Sequence, residues 1–394
     1  MLALIKALKN DKEFGELLSR LEYGGCPLVY SGLGSIHKAH AAAAVRRLTG
    51  RPVVVICSDE LEAERMRGDI SMLTGEEALG LTAREFTFFN ADSVSRSFEH
   101  ERTNTLYHMA RGTAGIIVST PDALMQRTLP LTRLLSASLE IRLGEELSPS
   151  ALAETLLLAG YKRADEVEGA GQFTVRGGIV DFFSPAYSQP VRVDFFGDEI
   201  DSMGLFDIST QRRVENIDTV SILPTGECLP SLADGGYTGL SDRIRELIKR
   251  LSKRKNAPRT LIDNLSTDLE HISNQLSFNA SDKYFELIYS VFATAADYLP
   301  PEAVVFICEP NRCAERGKNY SWQLNQDGEA LIEGSNIEGS LVHFYKSWEE
   351  ITGQLSDWPV IMADSFRGST YPLAPRALLN LTAKQLPSYG GSLS

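Results

Sequence analysis

Residues 173–211 read FTVRGGIVDFFSPAYSQPVRVDFFGDEIDSMGLFDISTQ, with no cysteine, histidine or lysine among them. The stretch carries strand periodicity. In residues 191–196, apolar Val191, Val193 and Phe195 alternate with Arg192, Asp194 and Phe196. Side chains on a strand alternate faces, so one face is core and the other presents Arg192 and Phe196. Gly197-Asp198 then separates two strand-like runs, and glycine at the first central position predicts a type II′ hairpin turn. Upstream, Phe173 and Val175 alternate with Thr174 and Arg176 before a Gly177-Gly178 break. If these strands pair, Arg176, Arg192 and Phe196 share one open face. The pattern alone supports two readings. In one, Phe196 is buried in a two-sided sheet and the arginines are merely solvated. In the other, arginine and phenylalanine on a rigid strand form a protein-binding face, whose anchors cost about 2 kcal/mol or more when truncated.

The surrounding composition narrows the class. The chain has 394 residues and a net charge of −13. That length predicts two or three domains with ample core. The negative balance excludes a surface that is nucleic-acid footprint throughout. Cys26, Cys57, Cys228, Cys308 and Cys313 are scattered and odd in number, which predicts free thiols in a reducing, cytoplasmic setting. Cys308 and Cys313 are close, but no second pair or nearby histidine completes a zinc set. His37 and His40 are the one near pair of histidines and have no acidic or cysteine ligand beside them, so no metal and no catalytic residue is expected. Residues 1–21 are charged and amphipathic, unlike a signal peptide, and no apolar run is long enough for a membrane span.

Residues 1–138 read as α/β. Strand-like runs at 27–30, 53–57 and 115–118 alternate with helical runs at 39–48 and 60–73, which predicts a parallel sheet. One loop invites an enzymatic reading. From Gly32 it runs G-L-G-S-I-H-K-A between a strand and a helix, where a nucleotide loop reads G-x-x-x-x-G-K-[ST]. His37 stands at the second glycine and Ala39 at the hydroxyl residue, which removes the phosphate cradle and the Mg²⁺ contact. Asp59-Glu60 resembles an acidic metal box but reads better as a helix start. Residues 139–226 read as an α+β domain, with a strand at 138–143, a helix at 151–159 ended by Gly160, and a closing strand at 220–223. Residues 227–386 return to the α/β style, with a helix at 240–251 and strands at 303–308, 341–345 and 360–363. The basic run Lys249, Arg250, Lys253, Arg254 and Lys255 reads as a solvated helix end, with a phosphate-contacting patch as the alternative. Residues 387–394 read as a linker.

The residues VRGGIVDFFSP, P-VRVDFFGDEIDSM, LFD-STQRR and ILPTGE, in order between 175 and 227, carry a resemblance. Together they resemble the UvrA-binding domain shared by the UvrB/Mfd family of excision-repair proteins. The resemblance implies a degenerate P-loop, helicase-like parallel-sheet domain (1–138 and 227–386) with the UvrA-binding domain (139–226) inserted in it. It implies UvrA contacts at Arg176, Arg192 and Phe196. A UvrB proper would keep an intact P-loop and a tyrosine-rich β-hairpin that clamps DNA. The loop here is altered, the matching stretch from Phe88 to His100 has no tyrosine run, and no helicase box appears. The pattern therefore sides with the Mfd transcription-repair coupling branch, as its N-terminal module. The implied role is non-catalytic recruitment of UvrA to RNA polymerase stalled at DNA damage, and in the family a C-terminal domain of the longer protein can mask the face. ATP, Mg²⁺ and DNA translocation are expected only in downstream motor domains, and no cofactor is expected here. The alternatives are a UvrB-like ATP-dependent repair subunit and a DNA-binding module using residues 249–255.

Overall fold

The computed structural model describes Ile5 and residues 8–89, 97–255, 257–276 and 278–381. The linker reading of 387–394 lies outside the described residues, as do residues 90–96 of the stretch between Phe88 and His100.

The chain opens with helix α1 (Lys12–Tyr23), strand β1 (Leu28–Ser31), helix α2 (Ser35–Thr49), β2 (Val53–Ile56), α3 (Glu60–Thr74), β3 (Leu79–Leu81), α4 (Ser97–Ala110) and β4 (Ile116–Ser119). Helix α2 starts earlier than its alanine run predicts, because Gly34 serves as its N-cap and His37 reaches back to the cap. The Asp59 carboxylate caps α3 by accepting from Glu62 N at 2.8 Å, as a helix start requires.

The next segment builds separate sheets. Strand β5 (Leu139–Arg142), helix α5 (Pro149–Leu158), β6 (Lys162–Arg163), β7 (Gln172–Arg176), β8 (Ile179–Phe182), β9 (Val191–Phe196), β10 (Glu199–Phe206), β11 (Arg213–Asn216) and β12 (Thr219–Ile222) follow in order. Strands β6 to β11 form one six-stranded sheet in sequence order. It is antiparallel except for the parallel β6–β7 pair. Strands β5 and β12 pair antiparallel, with Leu139 opposite Ile222. That pairing brings the two ends of the segment side by side. Its apolar residues, from Ile141 to Ile222, form a hydrophobic cluster of their own.

The chain then adds α6 (Gly236–Ser252), α7 (Arg259–Ser273), β13 (Val304–Cys308), α8 (Pro310–Glu333), α9 (Trp348–Leu355), β14 (Val360–Ala363) and β15 (Ala377–Asn380). Strands from both ends of the chain make one seven-stranded, wholly parallel sheet in the order β15-β1-β14-β13-β2-β4-β3. Its central strands are apolar on both sides, as parallel strands covered by helices must be. Val53 and Val55 join the cluster holding Phe14, Ala42 and Ile70 of α1–α3. Val54 and Ile56 join the opposite cluster, with Leu106 of α4, Ile244 of α6, Leu265 of α7 and Trp348 of α9.

One expected strand is absent. In the region 341–345, residues Gly339–Leu341 form a 3-10 turn and Tyr345 makes only an isolated bridge to Gln126. The Glu338 carboxylate accepts from Ser340 N, and this local bond holds the backbone in a turn instead of a ladder. Among the described residues, no helix is long and apolar enough to cross a membrane.

Candidate protein-binding face

The register of β7–β10 settles which residues share a side. Arg176 pairs with Ile179, and Thr174 with Asp181. Asp181 pairs with Arg192, and Ile179 with Asp194. Directly paired residues project to the same face, so Arg176, Ile179, Asp181, Arg192 and Asp194 stand together. The opposite face carries Phe173, Val180, Phe182, Val191 and Val193, all inside the segment's own core. The first face lies outside that core, although Thr174 and Asp181 on it are buried.

Phe196 lies at the far end of this outer face. Between the pairs Asp194–Ser202 and Phe195–Ile200 the second strand carries one extra residue, Asp201. Phe195 packs partly against the core, whereas Phe196, opposite Glu199, is 81% exposed. Gly197 follows at φ +66°, the conformation the hairpin turn demands. A phenylalanine presented to solvent on an ordered hairpin is the informative exception to apolar burial. The reading in which Phe196 is buried is overturned.

The three arginines of this face differ in how they are held. The Arg192 guanidinium is bidentate to Asp181, at 2.7 and 2.8 Å. It lies over the buried Phe206 ring at 4.6 Å. It also donates to the Gln211 carbonyl and side-chain oxygens, each at 3.3 Å. The two paired side chains are 22% and 3% exposed. Arg213 donates to Asp194 and, at 3.1 Å, to Ser202 Oγ. Arg176 is 47% exposed, donates to the Asp165 carbonyl at 2.8 Å and sits 3.5 Å from Glu166. The reading of simply solvated arginines is thus corrected for Arg192. Asp181, Arg213 and Gln211 were missed in the sequence, although strand parity from Arg192 and Arg176 reaches Asp181 directly.

The loop after β1 has its own arrangement. Gly32 is at φ +79°, and a Cβ there would stand 2.4 Å from Leu381 O. Leu33 N donates to Asp364 O at 3.1 Å. Gly34 N donates to His37 Nδ1 at 3.2 Å. Lys38 is buried, its ammonium paired with the Glu309 carboxylate and donating to Ser365 Oγ at 3.3 Å. Burial opposes ionisation of Glu309, but the bonds from Lys38 and Ser365 outweigh it and hold the carboxyl well below the usual range. Burial, reinforced by the neighbouring Glu309 carboxylate, pushes Asp364 up to about 6. Elsewhere, Arg250 and Arg254 of the basic run both face Glu338, at 3.9 and 3.1 Å. Cys57, Cys228, Cys308 and Cys313 are buried free thiols, and among the described residues no group of three His, Cys, Asp or Glu could hold a metal.

Comparison with known proteins bears on the segment that carries the outer face. Residues 139–227 match the family model described as the UvrB interaction domain. The chain is 24% identical over 394 residues to the transcription-repair-coupling factor of Bacillus subtilis (strain 168), covering 98% of this chain and 33% of that protein. It is 27% identical over 364 residues to that of Myxococcus xanthus, covering 90% and 30%. Against that of Escherichia coli (strain K12) it is 33% identical over 198 residues, covering 50% and 17%. The chain spans about a third of the length of the first two relatives. Along nearly its whole length, then, this chain is similar to transcription-repair-coupling factors, and its residues 139–227 match the UvrB interaction domain.

Proposed function

We propose that this chain is a non-catalytic recruitment module that binds UvrA through the outer face of the six-stranded sheet. In the longer protein it would bring excision repair to RNA polymerase stalled at DNA damage. The observation that carries the reading is the conjunction, within residues 139–227, of the UvrB interaction domain match and Phe196 at 81% exposure at the end of the outer sheet face. Phe196 supplies the desolvated anchor, and Arg176 a guanidinium for carboxylates on the partner. The module comprises residues 139–226, inserted into an α/β body formed by 1–138 and 227–386. Contacts with RNA polymerase and DNA, and ATP-driven translocation, belong to other parts of the protein.

The loop at residues 32–39 binds no nucleotide in this reading. A P-loop lysine must reach the phosphates, whereas Lys38 is committed to Glu309. The space beside Gly32 is taken by Leu381 O, and Ala39 has no hydroxyl for Mg²⁺. These residues do not fit ATP.

The test is titration calorimetry of UvrA against the chain, with Arg176→Ala and Phe196→Ala alongside. Wild type should bind, and each variant should lose on the order of 1–3 kcal/mol with an unchanged melting temperature. Absence of binding by folded wild type would remove the recruitment reading. Wild-type affinity in both variants would move the contact to another surface.

A further inference from the structure

Residues 207–212 connect β10 to β11 and curl over the outer face beside Arg192. Their conformation is fixed from within. The Asp207 carboxylate accepts from Ser209 Oγ at 2.6 Å, Thr210 N at 2.8 Å and Thr210 Oγ1 at 2.9 Å. Gln211 N donates to Asp207 O at 2.8 Å, and Asp207 N to Arg212 O at 3.0 Å. Gln211 sits at φ +57°, a left-handed conformation that a residue with a side chain adopts only under constraint. Its Nε2 donates to Ile208 O at 2.9 Å, while its Oε1 and its backbone carbonyl accept from Arg192. Ser209, Thr210 and Arg212 remain exposed on this preformed loop.

We infer that the 207–212 loop is a second contact element of the UvrA-binding face, and that Arg192 is the positioning residue that pins it there. The inference rests on the proposed UvrA binding. Arg192 has little left to offer a partner: Asp181 takes its fork, Phe206 its plane and Gln211 two of the other three N–H donors, which leaves one Nη1–H. A lysine could not replace it, since one ammonium cannot serve the two carboxylate oxygens and the loop at once. Arg212 is the exposed cation the loop presents, suited to a carboxylate on the partner. At roughly 3.3 Å per residue, Phe196 lies about 13 Å along the strand from Arg192, so one protein surface spans both. A loop ordered before binding adds little entropic cost on association.

The experiment is a set of double-mutant cycles on UvrA affinity, measured by calorimetry with melting temperatures as the folding control. Gln211→Gly removes the side-chain acceptor yet tolerates positive φ. Arg212→Ala is expected to weaken binding on the order of tenfold. The pair Arg192→Lys with Gln211→Gly should bind no worse than Arg192→Lys alone, whereas Phe196→Ala with Gln211→Gly should show multiplied losses. Wild-type affinity in Arg212→Ala and Gln211→Gly, with Phe196→Ala weakened, would exclude the loop from the contact. Multiplied losses for Arg192→Lys and Gln211→Gly would make Arg192 a direct contact. Failure of wild type to bind would overturn the recruitment reading and this inference with it.

Discussion

Among single residues, Lys38 shows how a side chain at a familiar position can be committed elsewhere. The lysine is in the place where a nucleotide loop would have it, but Glu309, Ser365 and Asp364 surround it from the ends of β13 and β14. That His37 and Ala39 stand where such a loop needs a glycine and a hydroxyl was legible in the sequence. The ion pair was not, since Glu309 is 271 positions away. The pair sets a pH dependence. The Asp364 carboxyl lies at about 6 in the folded chain, against about 3.9 for an unfolded aspartate. The folded state therefore holds this proton more tightly, so the Asp364 contribution is fully present below about pH 4 and is lost as pH rises through about 6. Glu309 is shifted the other way, and its contribution is present at neutral pH and lost in acid. Asp364→Asn should abolish the decline between about pH 4 and 6. Melting temperatures of both proteins across that window check this, and an unchanged slope in the variant would assign the decline to another group.

At the level of elements, the hairpin β9–β10 was readable because two independent signals agreed. Period-two alternation fixed the faces of Val191–Phe196, and Gly197 fixed the turn. Together they put Arg192 and Phe196 on one side of their strand, and Arg176 joins them once β7, β8 and β9 pair. Elements lacking that redundancy were lost. Strand β15 is four residues long and takes its identity from pairing with β1, some 350 positions earlier. Residues 341–345 read like a strand but find a partner only at their end, where Tyr345 bridges to Gln126. The Arg213 brace depends on a contact no local pattern encodes. A Cβ on Gly204 would meet Glu215 O at 2.5 Å and Arg213 Cδ at 2.9 Å. Strand β11 and its arginine thus lie across β10 only because position 204 has no side chain. Gly204→Ala should force the two strands apart and destabilise the chain by about 1–3 kcal/mol. Equilibrium urea unfolding measures it; a cost below a few tenths of a kcal/mol would show that the edge strand yields freely.

At the level of the whole molecule, the question is how the proposed recruiting face is held on the body that carries it. The segment leaves and returns through the β5–β12 pair, and the return passes directly into Glu227. That side chain is wholly buried. It accepts from Arg102 Nε at 2.8 Å and from Thr128 Oγ1, and Arg84 stands 3.5 Å away. Arg102 is equally buried and also donates to the carbonyls of Thr82 and Ala123. Arg84 is bidentate to Asp282. The junction thus ties α4, the loop after β3 and the segment before β13 to one carboxylate. Burying such a pair yields little net stability, but removing one charge leaves the other uncompensated, which costs about 3–5 kcal/mol. Glu227→Gln keeps the shape and deletes the charge, so it should lower stability by about that amount. The face lies on a sheet with its own core, so UvrA affinity of the still-folded variant, measured well below its melting temperature, should match wild type. A fall in affinity at full folding would mean that the junction sets the geometry of the binding face as well as the stability of the body.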